Sequence, residues 1–312
     1  MSALTYRAFE PRDLEPSLAL FKAAFGGRSL APGEYEHFFL HANPFGPPMI
    51  ELAFDGDLLV GHYALCPAES RVDGALVRTA RSMTTMTHPD YAGRGIFSSL
   101  AERLYGRVER DHGVGFIWGF PNANSHFGFT QKLRWHDLFA LFFLDVPAQA
   151  SATAPRVVPL EPADAHARLA SVGAPRSGVQ PFARTSRFLD WRYAGKPRYR
   201  LVGLEGSDAF AVVSTFEGAE ARALNLVDAF FGSARDASAL VEGLACHAAE
   251  QGCATLSIWC DLRSPVWSAG EKARGRPRGV MTYAGVRRAA LADTALDDPR
   301  RWCVTMGDSD VF

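Results

Sequence analysis

The sequence predicts an α/β (α+β) fold of two domains, each with a mixed, mostly antiparallel sheet flanked by helices. Short apolar runs separated by turn signals such as Asp55-Gly56-Asp57 predict strands and hairpins. Longer runs with apolar residues every three or four positions predict helices. The order strands, helix, strand occurs on both sides of residues 147–162, which are rich in proline and alanine. We therefore expect domains at residues 1–146 and 163–312, joined by that linker.

In the first domain, residues 4–9 predict a strand, and residues 13–25 predict an amphipathic helix that ends at Gly26-Gly27. A helix is also expected at residues 35–40, and a proline-rich loop near a substrate entrance at residues 43–48. The remaining elements are strands at residues 50–54, 58–66, 71–77, 78–87, 115–120 and 137–146, a helix at 96–108 and a helical segment ending at 133.

In the second domain, apolar periodicity again predicts strands around a long helix. The chain end places Asp308, Ser309 and Asp310 between apolar residues, so it is either a solvated terminus or a docked tail. The expected elements are helices at residues 164–170, 185–192 and 236–251, and strands at 199–204, 209–216, 222–230, 254–260 and 301–306.

The most informative stretch is residues 82–108, where a strand, a glycine turn and a helix follow one another. His88-Pro89-Asp90 ends the strand, because proline cannot donate to a strand ladder. The turn contains Gly93 and Gly95, and helical spacing starts at Ile96. This order directs several backbone N–H groups at one point, where they and the helix dipole favour an anion such as phosphate. A nucleotide-triphosphate loop and a dinucleotide fingerprint are both excluded, since the required lysine and third glycine are missing.

This stretch resembles motif A of the GNAT superfamily of N-acyltransferases, whose loop amides hold the pyrophosphate of an acyl-CoA. The sequence departs from the family pattern at Ala92, usually Arg or Gln, and at Phe97, usually glycine or alanine. Neither change removes a backbone donor. The resemblance implies acetyl-CoA or another acyl-CoA as co-substrate. It places Thr85, Met86 and Thr87 along the pantetheine arm and Tyr91, Ala92, Gly93, Arg94, Gly95, Ile96, Phe97 and Ser98 around the pyrophosphate.

The same resemblance extends to the next strand and helix. Asn122 and Ser125 stand where family members often contact the cofactor, although both residues also suit a turn and a helix N-cap. The family's helix carries a tyrosine that often protonates the departing thiolate. Thr130 occupies that position here and is a poor acid, so another group protonates the thiolate or it leaves unprotonated.

The second half resembles a degenerate GNAT copy whose counterpart of the glycine loop, residues 231–235, retains one glycine. The strings at residues 188–193 and 306–310 also resemble GNAT members of bacterial surface-polysaccharide pathways, which acylate an amine on a nucleotide-linked sugar. The degenerate second copy implies one cofactor site per chain. The family resemblance implies a primary amine as the small-molecule acceptor, and the narrower resemblance implies that this amine belongs to an amino sugar.

For catalysis, the resemblance implies that the backbone N–H of Met86 stabilises the oxyanion of the tetrahedral intermediate. The attacking amine also needs a base. His62 and Asp308 are the candidates, ahead of His88 and His126, and each of the four also suits a structural role. A different class of function remains open, namely an acyl-CoA-binding sensor or scaffold without turnover.

Composition excludes several partners. The formal net charge of −1 and pI near 6.8 provide no basic surface for nucleic acid or an anionic membrane. The polar N-terminus and the lack of a long apolar run predict neither a signal peptide nor a membrane span, and hence a cytoplasmic protein. The spacing of the five cysteines matches no zinc motif, so no metal is expected. The sequence leaves the oligomeric state open.

Overall fold

A computed structural model describes residues 3–36, 43–47, 49–219, 221–289, 291 and 294–309. The strands are β1 (Thr5–Ala8), β2 (Met49–Asp55), β3 (Leu58–Val72), β4 (Ala75–Thr87), β5 (Phe116–Gly119), β6 (His136–Pro147), β7 (Val157–Pro159), β8 (Val179–Gln180), β9 (Tyr199–Leu204), β10 (Phe210–Glu217), β11 (Arg222–Phe230), β12 (Thr255–Trp259) and β13 (Arg276–Arg288). The helices are α1 (Leu14–Ala24), α2 (Pro32–Tyr35), α3 (Ile96–His112), α4 (Ala123–Phe127), α5 (Pro162–Val172), α6 (Ser186–Tyr193), α7 (Ala234–Glu250) and α8 (Pro265–Lys272).

The first compact unit comprises Met1–Ser70, Val77–Leu138 and Ala284–Asp297. Its sheet has the strand order β1-β2-β3-β4-β5-β13. Antiparallel pairs join β1 to β2, β2 to β3 and β5 to β13, whereas β4 and β5 run parallel with α3 between them in sequence. Apolar side chains of α3, including Leu100 and Leu104, pack into a core with those of the strands. This sheet therefore presents the end of β4 and the start of α3 at one edge.

The second unit comprises Arg71–Leu76, Phe139–Tyr283 and Asp298–Phe312. Its sheet has the order β6-β12-β11-β10-β9-β7, and β8 pairs with Arg71 and Val72 of β3. Here β11 and β12 are the parallel pair, with α7 between them in sequence, and the other pairs are antiparallel. Each unit thus contains one parallel pair connected through a long helix, within a sheet that is otherwise antiparallel.

The predicted fold class is confirmed, since both units have mixed, mostly antiparallel sheets with helices packed against them. The predicted division at residues 147–162 stays a prediction. Each compact unit is discontinuous in sequence: the first includes residues 285–288 of β13, which pair with β5, and the second includes Arg71–Leu76.

Several elements differ from the sequence prediction. Nothing in the sequence analysis predicted α8 or β13. The strand expected at residues 301–306 is replaced by short 3₁₀ turns with isolated bridges at Trp302 and Thr305. The helix expected at 35–40 is observed only as α2, ending at Tyr35, and residues 37–40 lie outside the described part of the chain.

The helices of the described residues include none that combines the length and the apolarity required to cross a membrane.

Candidate active site

Residues of β2 and β3 form hydrogen bonds with the loop between β4 and α3. The Tyr91 hydroxyl donates to the Asp55 carboxylate at 2.8 Å. The Arg94 guanidinium lies over the Tyr91 ring, 4.4 Å from its centroid, and donates to the Asp90 carbonyl at 3.0 Å. The backbone N–H of His88 donates to the Val60 carbonyl at 2.9 Å. These contacts fix the loop while leaving residues 92 to 95 exposed.

The loop and the start of α3 form the glycine-loop site (residues 91–98), whose first two N–H groups, of Tyr91 and Ala92, are already bonded to the His88 and Pro89 carbonyls. Gly93 and Gly95 have φ angles of +78° and +77°, and a Cβ built at either would meet nothing within 4 Å. The first turn of α3 contains no acidic residue. Among the described residues, no acceptor binds the N–H groups of Ile96, Phe97 or Ser98. The site therefore fits an anion such as a pyrophosphate.

Phe97, where a small residue was expected, is accommodated by a glycine opposite it. Its ring packs 5.3 Å from that of Phe129 and 5.7 Å from that of Tyr63, measured between centroids. A Cβ at Gly128 would lie 3.1 Å from the Phe97 ring. Phe97 therefore faces the core, and its backbone N–H remains part of the glycine-loop site.

The end of β4 separates from β5 directly beside this site. The two strands pair only at Ala80–Ile117 and Arg81–Trp118, and β4 then continues to Thr87. Thr84 has a φ of +29°, an uncommon conformation for a β-branched residue, so β4 is irregular where the strands part. Thr85 and Thr87 are half-buried and the side chain of Met86 is buried. Beyond Arg81, β4 has no partner in β5, and an opening between the two strands there would suit an extended arm such as pantetheine.

Asn122 and Ser125 adopt the capping arrangement. The Asn122 side-chain oxygen accepts the N–H groups of Asn124 at 3.0 Å and Ser125 at 3.1 Å, and so caps α4. The Ser125 hydroxyl donates to the Asn122 side-chain oxygen at 3.3 Å. Both residues lie in the segment that follows the end of β5 at Gly119. Their contact with a cofactor stays a prediction.

Thr130 lies in a single π-helical turn, Gly128–Lys132, that continues α4. Its hydroxyl donates to the His126 carbonyl at 3.0 Å, one turn back in the same segment. A hydroxyl bonded in this way does not supply a proton readily, which agrees with the poor acid expected at this position.

The sequence analysis did not predict a buried network of hydroxyl groups that includes Tyr63, whose ring packs against Phe97. The Tyr63 hydroxyl lies 2.9 Å from the Ser82 hydroxyl and 2.6 Å from the Tyr105 hydroxyl, to which the Trp135 indole donates at 3.1 Å. Burial raises the pKa of both tyrosines. The residues are far apart in sequence, and each one alone looks like an ordinary core aromatic.

His62 is wholly buried on β3, with its Nε2 2.9 Å from the Tyr35 hydroxyl. Burial lowers the pKa of its imidazole to about 4, partly offset by a hydrogen bond to the backbone of Thr84. His62 therefore supports the irregular part of β4 as a neutral ring. Its role as a base stays a prediction.

Asp308 belongs to the second unit and is also wholly buried. Its carboxylate pairs with Arg184 at 2.5 Å and accepts the N–H groups of Thr305 at 2.9 Å and Phe182 at 3.2 Å. Burial raises the pKa of the carboxyl and the Arg184 charge opposes that rise. Residues 305–309 are thus a docked tail. The role of Asp308 as a base stays a prediction.

The two other candidate histidines, His88 and His126, have hydrogen-bond partners close in sequence. The Nδ1 of His88 accepts the Asp90 N–H at 3.3 Å, and the Nε2 of His126 lies 2.7 Å from the Asp137 carboxylate. His62, His88 and His126 lie in the first unit, whereas Asp308 does not, so one compact unit does not bring all four candidates together.

Residues 5–136 match a family model described as the acetyltransferase (GNAT) domain. These residues are similar to a GNAT domain, and the match covers less than half of the chain. The matched residues include β4, the glycine-loop site, α3, β5 and α4. GNAT domains take acetyl-CoA as co-substrate, so the match supports acyl transfer in general terms.

The chain is similar in fold to two solved GCN5-related N-acetyltransferases and to a third solved protein, Eis1. That of Anabaena variabilis aligns with a TM-score of 0.67 at 10% identity, over 92% of this chain and 73% of the other. That of Kribbella flavida gives 0.67 at 18% identity, over 92% and 72%. Eis1 from Mycobacterium abscessus gives 0.57 at 16% identity, over 92% and 74%. At these identities the likeness concerns the fold alone. The chain has no match among curated proteins.

The described residues contain no group of three or more His, Cys, Asp or Glu side chains placed to hold a metal ion.

Proposed function

We propose that the protein is an N-acyltransferase that moves an acetyl or longer acyl group from acyl-CoA to a primary amine. The observation that carries this is the glycine-loop site, with its unpaired amides and its two glycines at positive φ. Residues 91 to 98 would surround the pyrophosphate, with the unpaired N–H groups of Ile96, Phe97 and Ser98 as donors. Thr85, Met86 and Thr87 would lie along the pantetheine arm in the opening between β4 and β5, and Asn122 and Ser125 at its other edge.

In the proposed reaction the neutral amine nitrogen attacks the thioester carbonyl carbon, forming a C–N bond and an oxyanion. The Met86 N–H would donate to that oxygen, and one such donor contributes about 2.7–4 kcal/mol. The carbon–sulfur bond then breaks, and the sulfur leaves as a thiolate. The amine nitrogen loses its proton to a base, for which His62 and Asp308 remain the candidates. Thiolate departure without a protein acid is feasible, since an ordinary thiol has a pKa near ~8.5.

The second unit would be a degenerate GNAT copy. In support, β11, α7 and β12 repeat the connection of β4, α3 and β5, and both parallel pairs are short. The acceptor would be a small-molecule amine, possibly an amino sugar as in surface-polysaccharide pathways.

The first prediction tests the glycine-loop site. Gly95→Glu places a carboxylate where the pyrophosphate would bind, so CoA affinity should fall about a hundredfold or more by calorimetry. Gly113→Glu is the matched control, since Gly113 ends the same helix at φ +60° with nothing within 4 Å of a built Cβ. It should bind CoA like the wild type. If folded Gly95→Glu binds CoA as tightly as the wild type, the glycine-loop site is not the pyrophosphate site.

Turnover separates the enzyme from the alternative, an acyl-CoA-binding sensor. The alternative is favoured by the Thr130 hydroxyl, which is bonded within its own helix instead of offering an acid. Thiol release from acetyl-CoA should depend on the added amine across a panel of polyamines, amino sugars and peptides. Tight CoA binding with no amine-dependent release would favour the sensor.

A further inference from the structure

The second unit contains a cavity of about 340 Å³ where its parallel strands separate. Pairing of β11 with β12 stops at Leu226–Ile258, and the residues that follow in both strands line the cavity. Its walls are largely apolar and include Phe230, Trp259 and Trp302. A volume of this size is in the range of small-molecule sites.

One carboxylate in this cavity, that of Asp261, forms no direct salt bridge in the described part of the chain. Asp261 is 6% exposed, and its two oxygens accept the N–H groups of Arg263 at 3.2 Å and Val304 at 3.3 Å. Each oxygen therefore keeps capacity for another donor. Burial of a carboxylate is costly and raises the pKa of Asp261, while the hydrogen bond from Val304 and the charge of Arg263 oppose that rise.

The other charged groups of the cavity already have partners. The Asp228 carboxylate accepts hydrogen bonds from Arg184, Tyr193 and Thr305. At the rim, Arg263 donates to the Pro299 carbonyl, and Arg300 is paired with Asp298 at 2.9 Å. Asp261 is thus the lining carboxylate with unused acceptor capacity.

An acyl-CoA would not suit this cavity. The α7 helix that follows β11 has its N-terminus capped, because the Ser233 hydroxyl accepts the Asp236 N–H at 3.2 Å and donates to the Asp236 carboxylate at 2.7 Å. The negative charge of Asp236 therefore lies where an anion would bind. The lining also contains Asp228 and Asp261, whereas its three guanidinium groups, of Arg184, Arg263 and Arg300, are already bonded to protein oxygens.

We propose that this cavity binds a small organic cation, a protonated amine on an apolar or aromatic body, with its ammonium group on Asp261. Trp259 and Trp302 would contact the apolar body, and aromatic faces favour cations as well. This is a second ligand site in addition to the glycine-loop site, and it requires no acyl-CoA.

The test uses three probes of similar shape: 2-phenylethylammonium, neutral 2-phenylethanol and anionic 3-phenylpropanoate. By calorimetry the full chain should bind the ammonium at least about tenfold more tightly than the alcohol, and the carboxylate not measurably. Asp261→Asn should lose about tenfold in ammonium affinity and keep its alcohol affinity. Asp208→Asn is the matched control, since Asp208 is exposed in the same unit and does not line the cavity, and it should behave like the wild type.

A second readout needs no variant. Cys303 lines the cavity and is exposed, whereas Cys246 on α7 does not line it. The ammonium should slow alkylation of Cys303 and leave Cys246 unaffected, as measured by mass spectrometry of the peptides. No saturable ammonium binding, equal binding of the alcohol, or unchanged affinity in folded Asp261→Asn would each overturn the proposal. Gly95→Glu should retain ammonium binding, so failure of the CoA assignment and of this one are distinguishable.

Discussion

At the scale of single residues, the neutral His62 ring makes stability depend on pH. The pKa of this imidazole falls from 6.5 to about 4 on folding. At pH values between these two pKa values, the folded protein therefore binds fewer protons than the unfolded chain. Stability is undiminished above about pH 6.5 and decreases as the pH falls, by about 3 kcal/mol at pH 4.

His62→Gln removes this titration. Between pH 7 and pH 4, the difference in free energy of unfolding between variant and wild type should shift by about 3 kcal/mol in favour of the variant, in urea titrations. His136→Gln, at an exposed position, should show no such shift. Parallel losses of stability in wild type and His62→Gln would contradict the buried neutral ring.

Asp308 is the second residue with a stability role. Asp308→Asn leaves the buried Arg184 guanidinium with Asp228 as its remaining carboxylate, and breaking a buried pair costs about 3–5 kcal/mol. Urea unfolding should show this loss, whereas Asp73→Asn, which breaks the exposed pair with Arg301, should change stability little. If Asp308 is also the base, the variant should lose kcat with unchanged CoA affinity. Full kcat/KM with the true acceptor would leave it a structural residue.

At the scale of elements, the position of α3 depends on a glycine in β3. A Cβ at Gly61 would lie 2.5 Å from Ile96 Cγ2 and 2.9 Å from Leu100 Cδ1. Gly61→Ala should therefore push the first turn of α3 outward, costing about 1–3 kcal/mol of stability and weakening CoA binding.

The double variant Gly61→Ala with Ile96→Ala should recover part of the CoA affinity, because it removes the group that the new Cβ would meet. Gly106→Ala within α3 is the control. Its new Cβ would meet only the flexible Arg110 side chain, at 3.1 Å, so it should not destabilise. Strictly additive losses in the double variant would show that the contact does not position α3.

At the scale of the whole molecule, we predict one CoA per chain. The glycine-loop site has free amides at the start of α3, whereas α7 is capped by Ser233 and Asp236. A calorimetric titration should give a single site, and Gly95→Glu should abolish it. Two equivalent sites, or one that persists in Gly95→Glu, would contradict the assignment of the second unit as a degenerate copy.

The sequence alone determined the features that depend on neighbouring residues. Apolar periodicity located α3 and α7, and the turn with Gly93 and Gly95 marked the start of α3, because φ preference and helical spacing are local properties. The predicted end of α3 at residue 108 was too early, since the helix continues to His112. The short α8 and the arginine- and glycine-containing β13 lack such a pattern and were missed. The resemblance to motif A also rested on one contiguous string.

Only the tertiary structure decided which distant residues meet. Asp308 pairs with Arg184, which lies 124 positions away, and this burial replaces the solvated chain end that the acidic tail also allowed. The glycine opposite Phe97 and the hydroxyl network of Tyr63 and Tyr105 likewise join separate elements. Burial and pairing energies depend on the groups that surround a side chain in space, and one sequence read along its length does not contain that arrangement.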